Sequence, residues 1–186
     1  MKPLLLSLGF LIGHASSTVA GEEANRGVLN QTAPAWGVTQ WLNLPQAKTS
    51  LHLADFKGKV IYLYAFQSWC PGCHSQGFPT LKEVIARYGN DTNVAIVAIQ
   101  TAFEGFHANG FEQAKQIVKR YDLKIPVGHS GSEQEPSLLM RRYRTGGTPW
   151  TIIIDRAGVV RFNDFHTSAE AAGRLIEALK KSPKGE

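Results

Sequence analysis

The chain has 186 residues, 43% of them hydrophobic, with 20 Lys and Arg against 15 Asp and Glu, a formal charge of +5. That length suffices for one domain with a real core. The basic residues are scattered rather than clustered, which excludes the footprint of a nucleic-acid binder, and two cysteines are too few for a disulfide scaffold.

The opening residues are read as a signal rather than as fold. Lys2 gives a positive start, residues 4–12 are a short apolar run, and small residues follow up to Ala20 and Gly21. This layout predicts a secretory signal peptide over residues 1–20, cleaved after Ala20. The apolar run is shorter than the ~20 residues of a spanning helix. An uncleaved N-terminal membrane anchor is the competing expectation, since Lys2 is the segment's only charge. Cleavage leaves 166 residues with 19 basic against 15 acidic groups, a charge of +4. The expected location is the periplasm.

Residues 21–50 are polar and irregular, with Pro34, Gly37 and Pro45, and are read as an N-terminal extension. Trp36 and Trp41 suggest that it packs on the domain expected over residues 51–182. Residues 55–59 give a turn signal. The run 60–66 is apolar on both faces and predicts a central buried strand. Behind Cys70 and Cys73, the residues Phe78, Leu81, Ile85 and Tyr88 recur at helical spacing. Pro79 inside that pattern should kink the helix, because it lacks an N–H and crowds the preceding turn.

Residues 94–99 predict a second buried strand, 101–110 a loop, and Phe111, Ala114, Val118 and Tyr121 a second helix. Residues 125–127 read as a short third strand and 136–143 as a short helix broken by 144–147. Residues 150–154 form another buried strand, which a turn at 155–158 pairs with 159–165 as an antiparallel hairpin. Thr167 with Glu170 three residues on predicts a capping box for the last helix. Strands alternating with helices, closed by a hairpin and a helix, define an α/β domain of three layers. Its first strands should be parallel and its last one antiparallel.

The only cysteines, Cys70 and Cys73, lie in Trp69-Cys70-Pro71-Gly72-Cys73-His74. Two thiols this close act on one chemical object. They can form a disulfide, bind a metal such as Cu(I), or hold a c-type haem, because C-x-x-C-H matches that attachment motif, with His74 and Met140 as candidate iron ligands.

The order of motifs resembles the thioredoxin-like superfamily, and more narrowly the exported TlpA/ResA-type thiol-disulfide oxidoreductases. The motifs are the turn at 55–59, the Cys70/Cys73 motif directly after a buried strand, Pro79 in the helix behind it, and Gly147-Thr148-Pro149 before a strand ending in Asp155. The resemblance implies a thioredoxin-like α/β/α fold around a central mixed sheet, with a cis Thr148–Pro149 peptide facing the cysteines. It also implies a redox-active disulfide between Cys70 and Cys73, with no metal and no cofactor. The chain departs from that group at residues 74–79. There it has no acidic residue, and one residue more than the usual spacing between the second cysteine and the proline.

In this reading Cys70 sits at a helix N-terminus, where backbone N–H groups and the helix dipole favour an anion. Its thiolate attacks a substrate disulfide, and the more buried Cys73 resolves the mixed disulfide. Pro71 suits the first helical turn, and Gly72 lets a substrate chain come close. Trp69 lies beside the cysteines, and the Thr148 backbone ahead of Pro149 pairs with the substrate. A protonated His74 would stabilise a thiolate. Glu104 and His107, in the loop after the second strand, could reach the site. The expected activity is reduction of protein disulfides, and a membrane thiol-disulfide reductase or oxidase would recycle the pair.

Overall fold

The computed structural model describes residues 27–182. The expected signal peptide, its cleavage point and the alternative anchor lie outside the described residues. The strands are β1 (Gln40–Leu42), β2 (Val60–Phe66), β3 (Val94–Thr101), β4 (Val127–Ser130), β5 (Trp150–Ile154) and β6 (Val160–Phe165). The helices are α1 (Phe78–Tyr88), α2 (Phe111–Tyr121), α3 (Leu138–Tyr143) and α4 (Ala169–Lys180).

All six strands form one mixed sheet in the order β1-β4-β3-β2-β5-β6. β2, β3 and β4 run parallel, while β5 is antiparallel to β2 and β6 to β5. The expected parallel start and antiparallel end are both present. β2 lies at the centre, and all of its residues are buried. Its side chains alternate between the two faces, as the two-residue period of a strand requires. Val60, Tyr62, Tyr64 and Phe66 join the core beneath α1, α2 and α4. Ile61, Leu63 and Ala65 join the core beneath α3 and the N-terminal segment. Helices on one face, and a helix plus packed chain on the other, give the expected three layers.

Three local expectations are corrected. The segment 21–50, read as a polar and irregular extension, holds β1, which pairs antiparallel with β4. Trp36 and Val38 are buried next to it, separated by Gly37, so the apolar signal is too broken to read as a strand. The third strand lies at Val127–Ser130 rather than 125–127. Its buried His129 and Ser130 are polar and carry no hydropathy signal. The last helix is capped by Ser168, whose side chain accepts from the Ala171 N–H, and not by Thr167.

The helix behind the cysteines is also modified. Residues 73–77 form a turn of π-helix, and the Phe78 N–H reaches back five residues to the Cys73 carbonyl. Such a turn holds one residue more than an α-helical turn, which accommodates the extra residue before Pro79. Pro79 then follows directly behind the widened turn, in the first turn of α1. The irregularity of this helix lies at residues 73–77, ahead of the proline where the sequence predicts a kink.

Candidate active site

Residues 67–70 leave the C-terminal end of β2 in a tight turn, and Pro71 and Gly72 are already helical. Cys70 therefore stands at a helix N-terminus. The Cys73 N–H donates to its Sγ at 3.2 Å, and the Cys70 thiol reaches the Thr148 carbonyl at 3.5 Å. Cys70 is 6% exposed and Cys73 fully buried beneath it. Both are free thiols. Burial pushes the Cys73 thiol up to about 12, and the adjacent Cys70 thiol adds to the rise. The two thiols thus differ in access: the outer one meets solvent at a dipole-favoured position, and the inner one meets only its neighbour and the core.

Across from the cysteines the chain turns at 144–149 into β5. The Thr148–Pro149 peptide is cis. A Cβ placed on Gly72 would lie 3.3 Å from the Pro149 ring, so the cysteine turn and the proline loop pack directly on each other. Between them opens a groove of about 400 Å³, lined by Trp69, Cys70, Pro71, Gly72, Thr148 and also Gln67, Phe103, Glu104 and Phe165. Trp69 and Phe165 are 45% and 43% exposed at its rim. Among the expected site residues, Cys70, Trp69, Pro71, Gly72 and Thr148 come together in this groove. Pro149 backs it against Gly72, and Cys73 lies below.

His74 is placed differently. Its Nε2–H donates to the Ser68 carbonyl at 2.7 Å, and Nδ1 pairs with the Tyr121 hydroxyl at 2.6 Å. The ring also stacks on Tyr121 and tilts against Phe78. It ties the turn ahead of Cys70 to α2. Serving as an iron ligand would require breaking one of these two bonds. The buried residues of α3, the helix that carries Met140, pack on the opposite face of the sheet from Cys70 and Cys73. Of the two loop candidates, Glu104 lines the groove and His107 does not. Among the described residues, no group of three His, Cys, Asp or Glu side chains is placed to hold a metal ion.

Several residues that shape the site carry no sequence signal. Gln67 is buried, accepts from the Thr148 hydroxyl at 3.1 Å and donates to the Glu104 carbonyl at 3.4 Å. Buried Asn109 accepts from the Ser68 N–H at 2.8 Å and donates to the Glu104 carbonyl at 3.1 Å. The Ser68 hydroxyl donates to Gln100 at 2.8 Å, and Gln100 in turn donates to the Gly110 carbonyl at 3.0 Å. These bonds lash residues 104–110 to the turn that presents Cys70.

A thiol pair at a helix N-terminus, beside a cis proline on a four-helix, mixed-sheet frame, defines a thioredoxin-like thiol-disulfide oxidoreductase. The comparisons agree. The family model described as Redoxin matches residues 29–172, and the chain belongs to that family. A crystal structure of a thioredoxin-like superfamily protein is 34% identical, with a TM-score of 0.75, covering 82% of this chain and 98% of its own. A thiol-disulfide isomerase from Corynebacterium glutamicum is 28% identical, with a TM-score of 0.71 over 81% of this chain and 98% of that one. A thiol:disulfide interchange protein from Chlorobium tepidum TLS shares the fold at 22% identity and a TM-score of 0.60, over 80% and 95%. No curated protein matches the chain.

Proposed function

We propose that this oxidoreductase is exported to the periplasm and reduces disulfides in protein substrates, with Cys70 as the attacking thiol and Cys73 as the resolving one. The observation that carries the division of roles is the layering of the two sulfurs. Cys70 opens into the groove and receives the Cys73 N–H, while Cys73 is sealed beneath it. A substrate cystine entering the groove meets the Cys70 sulfur first. The displaced substrate thiolate leaves, and a mixed disulfide joins Cys70 to the other half. Cys73 then attacks the Cys70 sulfur, which releases the second substrate thiol and closes the Cys70/Cys73 disulfide.

The aromatic rim of Trp69 and Phe165 suits an extended peptide with apolar side chains beside its cystine. Gly147 and Thr148 line the groove, and their backbone is the segment proposed to pair with the peptide as a strand does. The reducing direction is supported by the likeness of the motif order to the TlpA/ResA-type oxidoreductases. The export signal expected over residues 1–20 supports the location, and a periplasmic reductant needs a membrane thiol-disulfide reductase to return it to the dithiol.

The role split has a direct test. Cys73→Ala should accumulate mixed disulfides with substrate proteins, seen as reducible high-mass bands, and Cys70→Ala should accumulate none. Equal trapping by both variants would overturn it.

A further inference from the structure

Tyr64 lies on β2 and points into the same buried cluster as Cys70 and Cys73. Phe66 stacks on its ring, and Phe78 meets it edge-on. Its hydroxyl is enclosed and makes no hydrogen bond. Buried tyrosine hydroxyls normally find a partner, and an orphan costs about 1–3 kcal/mol. The space around this hydroxyl is held open by the backbone. A Cβ on Gly77 would lie 1.9 Å from the Tyr64 oxygen, so no larger residue fits there. Gly77 closes the π-helical turn that Cys73 begins. Widened turn, glycine and hydroxyl pack together in the cluster that holds the resolving cysteine.

We infer that Tyr64 is a positioning residue for the resolving step, its hydroxyl donating a hydrogen bond to the Cys73 sulfur as that sulfur becomes an anion and attacks. The inference rests on the role split proposed above. In the step itself the Cys73 thiol passes its proton to water at the groove, and its sulfur bonds to the Cys70 sulfur. The bond from Cys70 to the substrate breaks, and the substrate sulfur leaves with that electron pair and takes up a proton from water. The cysteine pair loses two electrons over the whole cycle, and the substrate disulfide gains them.

The chemistry of the phenol fits a donor and not a base. Burial, and then the neighbouring Cys73, push its ionisation far above the ordinary tyrosine range. It keeps its proton throughout. In the other direction, burial and Cys70 raise the Cys73 thiol, while the Gln67 backbone and then Tyr64 lower it. The titratable groups around the sulfur are Cys70 and Tyr64, with Tyr62 behind Tyr64 on the strand. His74 and Tyr121 are bonded to each other nearby. A hydroxyl that is unpartnered at rest and bonded when charge appears stabilises the reacting state more than the resting one.

The test isolates the resolving step. Reduced protein is treated with the aromatic disulfide 5,5′-dithiobis(2-nitrobenzoate), and release of the second thionitrobenzoate from Cys70 is followed by stopped flow from pH 5 to 10. Tyr64→Phe should slow this release about tenfold at pH 7, as loss of a hydrogen bond to a charged group does. The rising limb of its pH profile should move to higher pH by about one unit, the equivalent of that factor. The first release, which reports attack by Cys70, should not change. Tyr64→Phe removes an unbonded buried hydroxyl and should not lower the unfolding midpoint, so the profile is read on folded protein. A purely structural role would alter the unfolding midpoint and leave the pH profile in place, which would overturn the inference. Cys73→Ala should hold the thionitrobenzoate adduct. If it releases the adduct, the role split has failed. If it holds the adduct while Tyr64→Phe releases with the wild-type profile, only the Tyr64 assignment has failed.

Discussion

At the scale of single residues, reactivity here is set by which groups can reach the two sulfurs. Cys70 has a backbone N–H at 3.2 Å and the open groove before it. Cys73 has the core. The side chains that keep this contrast sharp are polar and hidden. Asn109 is the clearest of them, because it satisfies the Ser68 N–H and the Glu104 carbonyl at once. Asn109→Ala leaves the Ser68 N–H without its partner, while the Glu104 carbonyl keeps its bond from Gln67, and should cost about 1 kcal/mol, the low end for an unsatisfied group. It should also loosen the groove wall that carries Phe103 and Glu104. Urea unfolding reads the first effect, and a raised KM for a disulfide substrate with little change in kcat reads the second. The cysteine motif was legible in the sequence because its residue type is rare and its spacing is specific, while Trp69 and the Thr148–Pro149 pair were legible through the family resemblance. Tyr64, Gln67 and Asn109 were not. Within a run of buried residues Tyr64 reads as one more aromatic, and hydropathy does not report where a single hydroxyl points. The signal that could have found it is Gly77, a glycine inside a helical pattern with no turn to explain it.

At the scale of elements, the central strands announce themselves. Val60–Phe66 and Trp150–Ile154 are uninterrupted, rich in β-branched and aromatic residues, and buried on both faces. Edges are harder to read. β1 has only three residues and is half exposed, and its register comes from pairing with β4 rather than from any pattern of its own. Helix starts show a similar competition. Thr167 and Ser168 are both capping residues, and Thr167 with Glu170 has the spacing of a capping box. Ser168 nevertheless takes the position and accepts from the Ala171 N–H at 3.2 Å. Ser168→Ala should therefore lower stability by about 1 kcal/mol, the usual cost of losing a cap. Thr167→Ala should leave the unfolding curve nearly unchanged. A larger loss for Thr167→Ala would return the cap to the position expected from sequence.

At the scale of the whole molecule, the fold carries groups that it keeps neutral. His129 on β4 is buried, and burial holds its ionisation below the ordinary histidine value; His166 is shifted the same way by the same cause. The sign follows from proton linkage. Above about pH 6.5, the unperturbed histidine value, both groups are neutral whether the chain is folded or not. Below it the unfolded chain takes up protons that the folded chain resists, so stability falls as the pH drops. Unfolding midpoints from pH 8 to 5 should show this decline, and His129→Gln should flatten part of it. A decline that His129→Gln leaves untouched would assign the effect to other groups.

The central claim for the molecule is that Cys70 and Cys73 form one reversible dithiol–disulfide couple whose dithiol donates electrons. An equilibrium titration of the pair in dithiol buffers, followed by alkylation of the free thiols and mass measurement, tests it most directly. The account predicts a single two-electron transition at a reducing potential, close to the roughly −270 mV of thioredoxin. A transition near the roughly −120 mV of a strong oxidant such as DsbA would contradict the reducing direction, and failure to form the internal disulfide would contradict the claim as a whole.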